Sequence, residues 1–343
     1  SLRRLRSASL PTCPPNRLQF RRRNRRSKRV DSASASLNEE RPPSAWRKAA
    51  GFALGVTLLA AAVYAAWGQR EVVIQALAEA AGARWWLIAL ALTLPLCNWV
   101  LSSALFMLLM EPGQAKATRR VRFAEMLWLI GASWLLNYLP LAPGLFGRVA
   151  YHRRVHGIPV RFTAQAIGTG MVVSAGVLGS ALLVGAVGVL PEKWGMFAAL
   201  LSLAAIAFLC GVIARARGRA WWWAAMAVGV RCLDIATWAA RYATVMALLN
   251  VEWTIASAAA IGVVSQVAML VPMVGNGLGI REWAVGLLGP VLPSWFRGAA
   301  AMTRGVGLTV DLVNRACELV VAVPVGLLSA ASLARGVRAT PPD

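Results

Sequence analysis

Charged residues are scarce in this chain, and acidic ones especially so. Charged side chains make up 15% of the 343 residues, with 14 Asp and Glu against 36 Lys and Arg. The five cysteines show no CxxC spacing, and the chain has only two histidines, so neither a zinc site nor a disulfide framework is indicated. The motifs GxxxxGK[ST], HExxH and GxSxG are absent, which leaves the commonest ATP-driven and hydrolytic sites without support. We predict no metal, no cofactor and no enzymatic activity.

Long apolar runs dominate what is present. Hydrophobic residues make up 58% of the chain, in blocks that suit a hydrocarbon core about 30 Å thick rather than at amphipathic spacing. The sequence therefore predicts an all-α transmembrane bundle in residues 49–334, between tails at 1–48 and 335–343. The apolar blocks are residues 49–67, 85–110, 123–143, 163–190, 195–214, 220–249, 255–292 and 299–334.

The N-terminal tail carries half of the excess positive charge. Residues 1–48 hold 14 Lys and Arg against 3 Asp and Glu, which gives +11 of the net +22. Beside a first span, such a basic tail marks the cytoplasmic side more often than it binds nucleic acid, so no specific nucleic-acid partner is expected. The tail is also rich in Arg and Ser. The tail can therefore also be interpreted as a transit peptide, which would place the protein in an organelle membrane instead of a bacterial-type plasma membrane.

Basic and neutral connectors alternate along the chain as the positive-inside rule requires, and this places both termini in the cytoplasm. The connectors at 111–122 and 148–161 are both basic although they flank the block at 123–143. That block is therefore predicted to be re-entrant. Its Pro140 and Gly144 support this prediction, because broken backbone at membrane depth survives only where it is buried in protein or lines water.

A second broken segment, Val271 to Leu288, repeats the order of proline, glycines and arginine. Six spans with two opposed re-entrant elements follow if this segment enters from the outside. Eight spans follow if residues 255–271 cross fully and the last block folds into two. The matched residues are Pro140, Gly144, Gly147 and Arg148 in the first break, and Pro272, Gly275, Gly277, Gly279 and Arg281 in the second.

Ionisable residues inside apolar blocks are expensive, at about 2.5–3.5 kcal/mol each on insertion scales, and need a partner or a polar cavity. Arg231, Asp234 and Arg241 share one helix face. A structural ion pair between Arg231 and Asp234 competes there with binding of a substrate. Asn98 and Gln266 are expected to hydrogen-bond between helices, as is Asn137.

The last block carries a comparable polar stripe. Arg304, Asp311, Arg315 and Glu318 fall on one helix face, which should point into the bundle. Two interpretations stay open. One is internal pairing of Arg304 with Asp311 and of Arg315 with Glu318, and the other is a hydrophilic path for a lipid headgroup.

Arg148 and the neighbours Arg281 and Glu282 each follow a glycine-rich break. Backbone N–H groups freed at such a break suit an anion, with phosphate as the natural ligand. The competing interpretation is that the glycines only permit a turn or close helix packing. We favour anion binding because two such breaks occur in one chain. His152 and His156 are predicted to lie in a basic loop rather than to bind a metal.

At these breaks the sequence resembles the transmembrane-domain family of the lysylphosphatidylglycerol synthases, a flippase-like membrane region. The similar segments are NYLPLAPGLFGRVAYHRR, Asn137 to Arg154, and MLVPMVGNGLGIREWAVGLL, Met269 to Leu288, together with Arg315 and Glu318. The resemblance covers about residues 49–334. It implies movement of an anionic or aminoacylated phospholipid, or of a polyprenyl-linked lipid, between leaflets. The family's aminoacyl-transfer domain has no counterpart here, so we expect no lipid synthesis.

Lipid translocation is therefore the function that we expect, with membrane lipid headgroups as the partners. One alternative is an accessory protein that does not transport and that organises a lipid or glycan synthase. The other is a membrane-embedded transferase with Asp234 or Glu282 as the base. No clustered carboxylates or metal-ligand set in the sequence supports the transferase.

Overall fold

Helices form all the regular secondary structure in the described part of the chain, as the long apolar blocks predict. The structure, a computed structural model, describes residues 67–82, 84–139, 143–186, 221–269, 275–295 and 299–338, with isolated positions within 53–64 and 211–215. The helices are α1 Arg70–Gly82, α2 Trp85–Gln114, α3 Phe123–Leu136, α4 Pro143–His156, α5 Val160–Ala186, α6 Trp221–Leu248, α7 Ile255–Ala268, α8 Ile280–Leu288, α9 Leu292–Trp295 and α10 Arg304–Arg338.

Three of these helices, α2, α5 and α10, are long and apolar enough to cross a membrane. Only 28% of the most apolar window of each is buried inside the protein, which leaves apolar side chains at the surface for contact with lipid. The helices therefore define an integral membrane protein. The predicted blocks at 49–67 and 195–214 lie largely outside the described residues.

Two of the predicted boundaries differ from the structure. The basic connector predicted from residue 148 onward is helical as far as His156, because α4 continues through the charged sequence. The last apolar block forms the single 35-residue helix α10, with Pro324 inside it, and does not fold into two helices. A proline within a long helix need only bend it where neighbouring elements satisfy the freed carbonyl.

Four of the short helices form two pairs, one at each of the glycine breaks. Helices α3 and α4, of 14 residues each, pack against each other as a first hairpin. Helix α7, also of 14 residues, packs against the nine-residue α8 as a second hairpin. Helix α10 packs against α3 of the first hairpin and α8 of the second. One long helix thus joins both hairpins.

Local sequence explains where these short helices begin. Pro143 is the first residue of α4, a position at which a missing N–H costs nothing and the fixed φ suits a helix. Thr254 caps α7: its side chain accepts from Ser257 N–H, and the Ser257 hydroxyl accepts from Thr254 N–H. This reciprocal pair is a capping box with serine in the third position.

Small residues bring α3 and α10 into close contact. A Cβ added at Gly131 would lie 2.3 Å from the hydroxyl oxygen of Ser329, and one added at Gly326 would lie 2.5 Å from the Cβ of Leu135. Membrane helices use such residues because packing, rather than the hydrophobic effect, holds them together. This close approach fixes the first hairpin relative to the polar stripe of α10.

Candidate functional site

A cavity of about 320 Å³ lies between the two hairpins and the long helices α2, α5, α6 and α10. One part of its lining is charged and another is apolar. The charged residues are Arg148, Arg231, Asp234, Arg241 and Glu318. The apolar residues contributed by α2 and α5 include Leu105, Phe106, Leu109, Ala166, Ile167 and Met171. Such an amphipathic cavity suits a ligand that has a polar end and an apolar end.

Glu318 is the centre of the charged wall. It is buried on α10, and its two carboxylate oxygens accept hydrogen bonds from five side chains on different parts of the fold. The donors to Oε1 are Trp134 at 3.2 Å, Tyr138 at 2.8 Å and Asn276 at 3.2 Å, and the donors to Oε2 are Arg241 at 2.7 Å and Arg281 at 3.2 Å. Two cations and three neutral donors compensate this buried carboxylate.

The tips of both hairpins meet at Glu318. Tyr138 lies just beyond the end of α3, and Asn276 lies in the turn Gly275–Gly277 that precedes α8. Each donates to the same carboxylate oxygen. The two glycine breaks, 131 residues apart at Gly144 and Gly275, are therefore neighbours in the fold.

Arg281 and Arg315 tie α8 to α10. Arg281 is fully buried, and its Nε lies 3.0 Å from a carboxylate oxygen of Asp311, which also accepts from the Tyr242 hydroxyl. Arg315 pairs with Glu282, and it donates at 3.4 Å to the backbone carbonyls of Asn276 and Gly277. Neither arginine lines the cavity. Arg315 holds the turn that contributes Asn276 to the cavity wall, and Arg281 holds Glu318, which also lines the cavity.

A second group of polar residues joins α6 to α2 and α7. Arg231 pairs with Asp234 and donates to the Gln266 amide oxygen at 2.8 Å. Asn98 donates to Asp234 at 2.7 Å and accepts from Arg241 at 3.3 Å. The sequence-based interpretation of Arg231 and Asp234 as an ion pair is confirmed, as is the prediction that Asn98 and Gln266 hydrogen-bond between helices.

Arg241 is further held by groups on both of its sides. Its Nε donates to Asn314 at 3.1 Å, and its guanidinium carbon lies 3.9 Å from the centre of the Trp238 ring. A cation–π contact this close suits arginine rather than lysine, because the guanidinium is flat and weakly hydrated. Arg241 is therefore a fixed part of the cavity wall.

Arg148 is the exception among the arginines of the site. It lines the cavity from α4 and is only partly buried. Its Nε donates to the carbonyl of Gly144 at 3.4 Å, and its guanidinium carbon lies 5.2 Å from the centre of the Phe106 ring. No carboxylate of the described residues pairs with it. A cation in this position favours an anion in the cavity.

The internal pairing considered for α10 is wrong. Asp311 pairs with Arg281 rather than with Arg304, which lies exposed, and Arg315 pairs with Glu282 rather than with Glu318. Spacing along one helix identifies the shared face correctly for Asp311, Arg315 and Glu318. It does not identify their partners, because two other helices supply arginines at closer range.

The glycines of the two breaks have different roles. Gly144 allows close packing, since a Cβ there would lie 2.4 Å from the carbonyl oxygen of Ser133, whereas Gly147 has no heavy atom within 4 Å of such a Cβ. Gly277 and Gly279 have positive φ, of 66° and 78°. Glycine adopts this conformation without strain, so these two glycines allow the turn. Pro140 and Pro272 lie outside the described residues.

His152 and His156 lie on helix α4 and are fully buried, so the prediction of a basic loop is wrong. His156 contacts Glu125, 3.2 Å from its Oε1, and the Tyr151 hydroxyl donates to the same oxygen at 2.7 Å. Helix α4 thus carries two buried imidazoles, and His152 lies one helical turn from Arg148.

Some residues of the site were not identified from sequence. Tyr138, Tyr242 and Asn276 all donate to buried carboxylates. Two of them lie inside the glycine breaks, so their position could have indicated them. An aromatic residue with a polar group needs a hydrogen-bond partner when it is buried, and this was the available signal for the third.

The long apolar helices, the paired hairpins and the buried ionic cluster define an α-helical membrane protein with an internal amphipathic cavity. No family model, no curated protein and no solved structure matches the chain. The geometry of the site therefore carries the functional argument.

Proposed function

We propose that this chain moves a phospholipid or polyprenyl-linked lipid between the leaflets of a membrane. The headgroup phosphate binds at Arg148, and the polar head passes through the cavity while the apolar chains stay in the bilayer. The observation that carries this proposal is an arginine that lines an amphipathic cavity with no carboxylate partner among the described residues. A phosphate satisfies such a cation, and an acyl or prenyl chain fits the apolar wall.

Met171 supplies a route for the apolar part of the ligand. This residue of α5 lines the cavity and is 53% exposed. Helix α5 is one of the three long apolar helices, so the outside at this point is the lipid phase. A lipid could keep its tails beside Met171 while its head enters the cavity.

The topology that fits this function has six spans. Helices α2, α5, α6 and α10 supply four of these spans, and the sequence predicts the other two in the apolar blocks at 49–67 and 195–214, which lie largely outside the described residues. Helices of 14 residues, such as α3 and α7, are about 21 Å long and too short for a core of about 30 Å. The two hairpins are then re-entrant from opposite sides, and both termini are cytoplasmic in a plasma membrane of bacterial type.

Transfer of fluorescent lipid in proteoliposomes tests the proposal. Vesicles would hold acyl-labelled phosphatidylglycerol, acyl-labelled lysyl-phosphatidylglycerol or a polyprenyl phosphate labelled on its prenyl chain. Dithionite would quench the fluorescence of the label in the outer leaflet. We expect the chain to accelerate loss of the protected signal for at least one lipid, and R148A to reduce the protein-dependent rate at least about tenfold, which corresponds to about 1.4 kcal/mol.

R154A is the matched control, because Arg154 lies on the same helix but is exposed. It removes the same charge outside the cavity and should leave the rate unchanged. Equal loss in both variants would contradict a role for the cavity. No acceleration for any lipid would favour the accessory protein, and formation of a new lipid product would favour the transferase.

A further inference from the structure

The charges around the cavity can be counted, because each buried carboxylate has an identified partner. The acids are Asp234, Glu282, Asp311 and Glu318, and the arginines that pair with them are, respectively, Arg231, Arg315, Arg281 and Arg241. These four pairs are neutral as a set. Arg148 is the fifth arginine, so the described residues of the cluster and the cavity together carry one excess positive charge.

None of the four carboxylates is available to a cationic ligand. Glu318, which lines the cavity, already accepts from five side chains, and two of these are arginines. Asp234, the other acid in the lining, accepts from Arg231 and Asn98. An ammonium group that entered the cavity would therefore have to displace an existing pair.

The uncharged polar groups of the lining match a neutral, hydrogen-bonding head. Asn137 contributes an amide whose oxygen has no partner among the described residues, and Ser102 and Ser174 contribute hydroxyls. Asn98, Gln266 and Asn276 complete the polar lining, although each already bonds to a charged residue. A cavity of about 320 Å³ is large enough for a small polar head. A phosphate that bears a small polyol has this size.

We infer that the cavity selects lipids whose head carries a single net negative charge, namely phosphodiesters with an uncharged, hydroxyl-bearing head. This inference rests on the proposed function and narrows its substrate class. A monoanion neutralises the excess charge of Arg148. An aminoacylated head adds ammonium groups that find no free carboxylate, and a phosphomonoester brings a second negative charge that finds no free arginine in the lining.

A headgroup series on the unmodified chain tests the inference without any variant. Four acyl-labelled lipids would be compared in the vesicle assay: phosphatidylglycerol as the monoanion, phosphatidylethanolamine as the zwitterion, lysyl-phosphatidylglycerol as the net cation, and phosphatidic acid as the phosphomonoester. We expect phosphatidylglycerol to move at least about tenfold faster than the cation, which corresponds to about 1.4 kcal/mol. Equal rates for all four, or a faster cation, would overturn the inference.

Substitution of Arg148 then tests whether this arginine sets the preference. R148Q should slow phosphatidylglycerol to the rate of the zwitterion, and R148E should favour lysyl-phosphatidylglycerol over phosphatidylglycerol. R154Q, on the exposed side of the same helix, should rank the four lipids by transfer rate in the same order as the unmodified chain does. An unchanged order in R148Q would overturn the assignment. Size-exclusion profiles in detergent show whether each variant is folded.

A soluble phosphodiester has the same chemistry as the lipid head, so a competition arm separates the two sources. Millimolar glycerophosphoglycerol should leave the transfer of phosphatidylglycerol unchanged, because it lacks the chains that contact the apolar wall. Strong competition would indicate that the soluble anion is the ligand and would overturn the lipid assignment. Failure of every lipid to move faster than in protein-free vesicles would instead refute translocation itself.

Discussion

The two hairpins carry an arginine at matching places, yet the structure uses these arginines differently. Arg281 follows the second glycine break and is fully buried between Asp311 and Glu318. Arg148 follows the first break, lies beside the cavity and contacts its own helix and the face of Phe106. The same local pattern therefore gives one cation with a structural role and one that is open to a ligand.

The difference originates on helix α10 rather than in the breaks. Asp311 and Glu318 are seven residues apart on one face of α10, and α8 packs directly against that face. Helix α3 separates α4 from α10, since α10 packs on α3 and α3 packs on α4. Arg148 thus lies on the far arm of its hairpin, and Glu318, the carboxylate of α10 that lines the same cavity, is already paired with Arg241 and Arg281.

The largest effect is expected from removal of Arg281. R281A leaves Asp311 and Glu318 short of a buried cation, and breaking a buried ion pair costs about 3–5 kcal/mol. R148A removes a cation that pairs with no carboxylate in the described residues, so its cost should stay within about 1 kcal/mol. SDS unfolding titrations in mixed micelles measure both changes in the free energy of unfolding.

A charge-compensating second substitution sharpens this test. D311N in the R281A background removes the uncompensated charge while it keeps an oxygen that can accept from the Tyr242 hydroxyl. Part of the stability lost in R281A should return, because the two positions are directly coupled. Equal losses for R281A and R148A would refute the distinction between the two arginines.

The class of fold, the position of the broken segments and most charged residues of the site could be predicted from sequence. Apolar block length indicated α2, α5 and α6, and three-residue spacing indicated the pair of Arg231 and Asp234. The partners of Asp311 and Arg315 could not be predicted, because helical periodicity gives a face and tertiary packing decides which residue it meets. The buried histidines were missed because a basic sequence around them resembles a loop.

The glycines show the same limit. Their number in each break predicted irregular backbone, and positive φ at Gly277 and Gly279 agrees with it. In the first break, however, Gly144 and Gly147 are ordinary residues of helix α4. The close approach of α3 shows that Gly144 is needed for packing. A single sequence does not show which residues of another helix lie next to a given glycine.

A moderate effect is expected from G144A. The added methyl would lie 2.4 Å from the Ser133 carbonyl oxygen and 2.5 Å from the Asn137 side-chain oxygen. Because the first of these atoms is backbone, the two arms of the hairpin must move apart, at a cost of about 1–3 kcal/mol. The same titrations measure this loss, and lipid transfer should fall with it, since α4 carries Arg148. Unchanged stability would show that the arms separate freely.

The smallest effect, and one of opposite sign, is expected from G147A. Gly147 is exposed on α4, and no heavy atom lies within 4 Å of an added Cβ. Alanine is favoured over glycine inside a helix by about 0.8–1 kcal/mol, so G147A should raise the free energy of unfolding by up to that amount and leave lipid transfer unchanged. The pair G144A and G147A thus separates close packing from backbone flexibility within three residues of one helix. If G147A is stable but transfers lipid more slowly, backbone flexibility of helix α4, and not only its packing, contributes to the movement of the lipid.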